Sequence, residues 1–341
     1  MKGIVWNGPE EMSVEEMPEP TAEPGMVVIH TGAAGICGSE VEGYLGKMGN
    51  RTPPLVMGHE FAGTVSSVGE GVDESWEGRR ATVNPLLSCG ECRLCRVGLK
   101  NLCENRTMIG IHHPGGFAEY VQVPESALSE IPDDLDISAA ALAEPLANGV
   151  HAVRLGTNCL PAERAVVVGG GTIGIMVLQS ALLSGIQSVS VVELHEGRRE
   201  QAKELGAHEV FASGDEAGEA VRDATEGLGA DLVLDAVGAE ATRQLAVDLV
   251  KPGGMVMLVG LHGDETTLGF HNVVRGQVTL QGSYAYTPED FEQALAWISS
   301  GQAGIGELPT VLPLERGPDA FAHLVEGPQD QIKVFLAGTE G

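Results

Sequence analysis

Residues 165–174, Ala165-Val166-Val167-Val168-Gly169-Gly170-Gly171-Thr172-Ile173-Gly174, decide the fold. Four consecutive apolar residues suit a strand that is covered on both faces. Gly169, Gly171 and Gly174 then form G-x-G-x-x-G where the strand must turn into a helix. The first glycine permits the tight turn, the second lets the backbone approach a pyrophosphate, and the third lets helix and strand pack closely. In a chain with 47 glycines the pattern alone is weak. Its position strengthens it. The stretch from Ile173 to Leu183 is apolar nearly all round, which predicts a buried helix. The next apolar run, Ser188 to Val192, ends at Glu193. An acid there accepts hydrogen bonds from both ribose hydroxyls and repels a 2′-phosphate, so NAD is the expected dinucleotide. The expected contacts are Gly169, Gly171, Thr172, Ile173, Gly174 and Glu193. Arg198, beside Arg199, is close enough to offer some charge to a phosphate.

Working outward, strand and helix signals alternate. Strands are expected at Glu209–Phe211, Asp231–Asp235, Met255–Val259 and Val278–Leu280, with helices at Arg198–Leu205, Glu216–Glu226 and Ala239–Val250. Six strands alternating with helices predict an α/β fold with a doubly wound parallel sheet. Before about Glu125 the texture differs: short runs such as Val27–His30, Phe61–Val65 and Ala118–Val123 lie between turn residues. That spacing predicts a compact, mostly antiparallel β domain. A helical stretch from Ala139 toward Leu155 follows, and Pro288–Ser299 reads as a late helix.

A length of 341 residues fits two domains. The balance of 20 Lys+Arg against 48 Asp+Glu gives a formal net charge of −28. Such a surface repels phosphate backbones and anionic lipid, which argues against nucleic-acid and membrane partners. Solubility and adaptation to high salt both account for the excess acid, and the sequence leaves the choice open. The start of the chain lacks the apolar core of a signal peptide. The nearly uncharged stretch Ala165–Val192 is broken by turn glycines and does not read as a membrane span.

Four of the six cysteines fall in Cys89-x2-Cys92-x2-Cys95-x7-Cys103. Bridges between such near neighbours would close little chain, whereas four thiolates on one loop suit a structural Zn²⁺ with no open position. An iron–sulfur run would end in an x3 gap followed by proline; here x7 is followed by Glu104. Metal-bound thiols fit a reducing compartment, so a cytoplasmic location is expected. Cys159 has no partner pattern and reads as a core thiol. Cys37 in Gly35-Ile36-Cys37-Gly38-Ser39-Glu40, His59 in Gly58-His59-Glu60, and Glu144 in Ala143-Glu144-Pro145 are each unremarkable alone. Together they offer one sulfur, one nitrogen and one oxygen, a donor set for Zn²⁺ with a fourth position open to substrate.

In this order, with Gly115-Gly116-Phe117-Ala118-Glu119-Tyr120 between the cysteine lobe and the glycine turn, the chain resembles the zinc-containing medium-chain alcohol dehydrogenases. Glu144-Pro145-Leu146 is similar to the corresponding segment of the sorbitol, butanediol, threonine and galactitol-phosphate dehydrogenases. The resemblance implies a GroES-like domain of residues 1–147 and 283–341, and a Rossmann domain of residues 148–282. It also implies a catalytic zinc on Cys37, His59 and Glu144, with Glu60 a second carboxylate able to exchange onto the metal. Ser39 becomes the first proton acceptor, and Tyr44, His112 and Tyr284 pocket walls. The implied reaction is oxidation of a secondary alcohol in a polyol, sugar alcohol, diol or amino alcohol by NAD⁺. Zinc lowers the pKa of the substrate hydroxyl, and the nicotinamide takes the hydride. The family habit implies a homo-oligomer, a dimer or a tetramer. Two positions depart from the usual pattern: Glu40 is a longer carboxylate than the common aspartate, and Glu42 stands where a histidine usually passes the proton outward. Glu42 also occurs in the related glucose dehydrogenases, which makes an aldose dehydrogenase the enzymatic rival. A zinc-free nucleotide-binding relative is the non-enzymatic one.

Overall fold

The computed structural model describes residues 1–158, 161–327 and 331–338. Cys159 lies outside the described residues. The chain forms two compact units, residues 1–144 with 294–341, and residues 145–293.

The first unit is built on a seven-stranded sheet whose central strand is Met26–Gly35. This strand pairs antiparallel with Glu60–Val68, Tyr120–Pro124 and Phe335–Ala337. It is buried along most of its length, as a strand covered on both faces should be, and Val27, Ile29, Phe61, Phe117, Phe321 and Leu336 pack into one core. Register matters for chemistry here. Gly35 lies opposite Glu60 on one side and opposite Phe335 on the other. The segments that carry Cys37, His59, Glu60 and Lys333 therefore converge at one end of the sheet.

In the second unit the six strands run parallel. Across the sheet the order is Glu209–Phe211, Ser188–Val192, Arg164–Val168, Ala230–Asp235, Val250–Leu258 and Thr279–Gly282. In chain order that is third, second, first, fourth, fifth, sixth, the doubly wound arrangement with its switch point between the first and fourth strands. The helix Thr172–Leu183 is buried along most of its length, as its uninterrupted apolar surface requires. The helical stretch after Ala139 is two helices, Ile137–Ala141 and Ala143–Thr157.

The later boundary between the units falls inside the helix Pro288–Ser299 rather than at residue 283. A buried polar cluster explains why its first turn stays with residues 145–293. Asp290 accepts from Arg154 Nε at 2.7 Å and Nη2 at 2.9 Å, and from Thr287 N and Oγ1 at 2.9 Å, and lies 2.7 Å from His151 Nδ1. Burial pushes the Asp290 carboxyl up, but these donors outweigh it and hold it well below the usual carboxylate range.

Candidate metal centre and nucleotide turn

Cys37 precedes the helix Gly38–Tyr44, and Glu40 in its first turn is fully buried. Glu40 organises this end of the sheet. One oxygen accepts from Cys37 N at 3.0 Å; the other accepts from Gly58 N at 2.8 Å and His59 N at 3.1 Å and lies 2.8 Å from His59 Nδ1. A proton on Nδ1 bonded to that carboxylate leaves Nε2 with a free lone pair, the tautomer a metal needs. Burial raises the Glu40 pKa, but His59 and the Cys37 amide outweigh it and hold the group ionised. The extra methylene relative to aspartate reaches both segments at once. The residue noted as a departure thus pins two metal-ligand candidates, a role the sequence reading missed. Its only signal was its place three residues after Cys37.

The ligand atoms of Cys37, His59 and Glu60 all lie within 4.8 Å of one another. Glu60 is fully buried and its Oε1 has no hydrogen-bond partner among the described residues, a carboxylate oxygen left for a cation. Its Oε2 forms an ion pair with the buried Lys333. Burial lowers the Lys333 pKa, but Glu60, Cys37 and Glu40 together raise it above the ordinary value, so the ammonium stays charged. Gly35 makes room for this pair: a Cβ there would stand 2.6 Å from Lys333 Cε and 2.7 Å from Glu60 Oε2. Glu144 is buried in the first turn of Ala143–Thr157, but its carboxylate is not in the group of three. Glu60 follows His59 directly in the chain, so the segment that brings in the histidine brings in the carboxylate too. Ser39 Oγ donates to Cys37 Sγ at 3.3 Å, and Glu42 pairs with Lys47 at 3.4 Å. Tyr44 donates to Glu10 O at 3.1 Å and packs on Phe321, while His112 Nδ1 accepts from Met108 N at 3.0 Å.

The four cysteines of the lobe converge fully. Sulfur–sulfur distances are 3.4 Å for Cys89–Cys103, 3.5 Å for Cys92–Cys95, 3.9 Å for Cys92–Cys103 and 4.0 Å for Cys89–Cys95. A tetrahedron with Zn–S bonds of about 2.3 Å has edges of about 3.8 Å, so the cage fits Zn²⁺. All four thiols are free of disulfides. Amides of Cys95 and Glu104 pull the Cys92 thiol down to about 6, and burial pushes Cys95 up to about 11.

At the nucleotide turn, Gly169 has φ +99°, a left-handed conformation that favours glycine. A Cβ on Gly174 would stand 1.8 Å from Gly169 O, whereas one on Gly171 would meet nothing nearer than Arg198 Nη1 at 3.7 Å. The third glycine is thus fixed by packing, and the second leaves open space for a ligand. Thr172 and Ile173 open the helix here, so its positive end faces the turn. Glu193 accepts from Gly170 N and His195 N, both at 2.8 Å, which fixes the carboxylate beside the turn. Arg199 donates to the Glu193 and Leu194 carbonyls. Asp235, unnoticed in the sequence reading, caps the neighbouring turn from Val237 N and Gly238 N, both at 3.0 Å.

Comparison with known proteins agrees with the fold. The alcohol dehydrogenase GroES-like domain family matches residues 23–133, and the zinc-binding dehydrogenase family matches residues 172–300. The chain is 33% identical to the 2-dehydro-3-deoxy-L-galactonate 5-dehydrogenase of Pseudoalteromonas atlantica, over 90% of each chain. It is 30% identical to the sorbitol dehydrogenase of Bacillus subtilis, over 98% of this chain and 97% of that one. Among solved structures, a zinc-binding dehydrogenase from Sinorhizobium meliloti 1021 bound to NADP superposes with a TM-score of 0.89 at 30% identity, covering 98% of both chains. No helix among the described residues is long and apolar enough to cross a membrane. A doubly wound dinucleotide unit, a mostly antiparallel unit with two metal-ligand clusters, and relatives aligned along nearly the whole chain lead to one conclusion: the chain belongs to the zinc-dependent medium-chain alcohol dehydrogenases, and is an oxidoreductase.

Proposed function

We propose that this chain oxidises a secondary alcohol of a polyhydroxylated substrate to the ketone with NAD⁺, using one catalytic and one structural zinc. The observation that carries the proposal is the cluster of half-buried Cys37 with buried His59 and Glu60. We assign these three as the protein ligands of the catalytic zinc, with Glu144 displaced to an outer role. Cys89, Cys92, Cys95 and Cys103 hold the structural ion. The catalytic zinc supplies Lewis acidity that makes a substrate hydroxyl acidic near neutral pH. The chain's own residues do the rest. Glu40 orients His59 and Cys37, Lys333 holds Glu60, and Ser39 stands beside Cys37 to take the proton that the hydroxyl loses. Glu42, half-buried and paired with Lys47, is the onward exit. A panel of polyols, diols, threonine and aldoses with NAD⁺ and NADP⁺ tests the reading. Oxidation of aldoses alone would favour the glucose-type reaction, and no oxidation at all would sink the proposal. Cytoplasmic residence and a dimeric or tetrameric assembly belong to the same proposal.

Two results are expected from this assignment. Ser39→Ala should retain both zinc ions yet slow oxidation by about two to four orders of magnitude, the usual worth of a positioned proton acceptor, whereas Glu42→Gln should cost only about tenfold because water can replace it. Full activity in Ser39→Ala would remove Ser39 from the relay. Coenzyme preference should follow Glu193, whose carboxylate would face a 2′-phosphate directly. A higher kcat/KM with NADP⁺ would show instead that Arg198 and Arg199 outweigh it.

A further inference from the structure

Arg51 is 7% exposed, in the segment between the helix Gly38–Tyr44 and the strand Glu60–Val68. Its Nη1 donates to Asn50 Oδ1 at 3.1 Å, while Nε and Nη2 have no hydrogen-bond partner among the described residues. Those two groups form the side-on edge of the guanidinium. Their N–H bonds run parallel and are spaced to meet both oxygens of one oxyanion. Buried donors are normally satisfied, so an unmade fork at this depth points to a ligand. The face of the group is accounted for separately. A Cβ on Gly43 would stand 2.8 Å from Arg51 Nε and 2.9 Å from both Cδ and Cζ. Three nearly equal distances put Gly43 over the plane, so the helix covers the face and leaves the edge free.

Gly43, against which Arg51 packs, lies on the helix that directly follows Cys37 and carries Glu40 in its first turn. Burial lowers the Arg51 pKa, while the fields of Glu40 and Cys37 raise it. Neither residue takes up the fork: the Glu40 oxygens are engaged by Cys37, Gly58 and His59. Lys333, the other buried cation here, is already committed to Glu60. Asn50 and Thr52 line a cavity of about 490 Å³ with Val56, Ile111, His112 and Pro114, but Arg51 does not line it. Its fork is therefore not explained by that cavity.

We propose that Arg51 binds a carboxylate of the substrate, so that the alcohol oxidised belongs to a polyhydroxy acid of the aldonate class rather than to a neutral polyol. The proposal rests on alcohol oxidation at the Cys37–His59–Glu60 centre. The two parallel N–H groups of the fork match the two oxygens of a carboxylate, and the nearby Glu40 and Cys37 disfavour the second negative charge of a phosphate dianion.

The test measures binding and turnover separately. The zinc-loaded full chain with NADH is titrated calorimetrically with D-gluconate, D-galactonate and D-arabinonate. The matched alditols sorbitol, galactitol and D-arabitol, and sorbitol 6-phosphate, are titrated in parallel. At least one acid should bind about 10- to 100-fold more tightly than its alditol, the worth of a charge-assisted bidentate pair. Arg51→Met should abolish that difference, and Arg51→Lys, which keeps the charge without the fork, should retain only part of it. Retention of both zinc ions and of NADH binding shows that each variant is folded. Alditols binding as well as acids, absence of saturable binding by any acid, or an acid preference that survives in Arg51→Met would overturn the proposal. So would an Arg51-dependent gain confined to sorbitol 6-phosphate. NAD⁺ reduction by the same compounds distinguishes the two readings. Arg51-dependent acid binding without oxidation sinks the dehydrogenase reading alone, and oxidation of alditols and acids alike without an Arg51 effect sinks the carboxylate assignment alone.

Discussion

Replacing His59 with Ala should remove one zinc per chain and lower alcohol oxidation by at least about three orders of magnitude, while NAD⁺ still binds. His59 is the ligand candidate whose orientation is most narrowly fixed: its Nδ1 is committed to Glu40, and its ring also reaches the Cys37 side chain, the other ligand candidate. Alanine removes the nitrogen donor and leaves the Glu40 carboxylate buried with one partner fewer. The nucleotide turn, with Gly169, Gly174 and Glu193, is stabilised by contacts within residues 145–293 and should be indifferent to the change. Metal analysis of two further variants tests the choice of carboxylate. Glu60→Gln should lower zinc occupancy more than Glu144→Gln, because Glu60 is the acid grouped with Cys37 and His59. The reverse order would return Glu144 to the metal. A His59→Ala protein that keeps both zinc ions and still oxidises alcohols would remove the zinc mechanism altogether.

Cys92→Ser should remove the other zinc, leave the catalytic ion in place and lower the melting temperature by about 5–10 °C, a loss of a few kcal/mol for a chain of this size. The lobe has few apolar contacts of its own. Val97, Leu99 and Leu102 are exposed, and Cys95 and Cys103 are its buried sulfurs. Its short helix Arg93–Arg96 is far below the length at which a helix is stable alone. The thiolate cage and the amide-to-sulfur hydrogen bonds at Cys89, Cys92 and Cys95 therefore carry most of its order. Serine keeps the shape but is a far poorer zinc donor. Unchanged melting with two zinc ions still bound would contradict the four-thiolate assignment, and so would loss of both ions together.

The elements legible in the sequence are those whose causes are local. Gly169 needs its positive φ and Gly174 its bare Cα because the turn closes within six residues, so the motif and its structure are nearly the same statement. The continuous apolar run Ala165–Val168 and the all-round apolar helix after it announce burial directly. The cysteine lobe closes over one short loop, and spacing alone brings its four sulfurs together. Length and charge likewise carried the expectation of two domains and the argument against nucleic-acid partners.

Tertiary structure decided what depended on distant segments meeting. Adjacency in the chain puts Glu60 beside His59, but the register that sets Gly35 opposite Glu60 is what brings both to Cys37. Lys333 reaches the site because the strand Phe335–Ala337 pairs with the other side of Met26–Gly35. Glu40 looked like a conservative lengthening of an aspartate until its two oxygens were found on Cys37, Gly58 and His59. Arg51 gave no sign at all in a strongly acidic chain, since only burial turns an ordinary surface cation into a guanidinium with an unmade fork. A short motif fixes the geometry its own few residues can reach. Which charges share a low-dielectric site, and which remain unpaired there, is set by the sheet that folds distant strands onto one another.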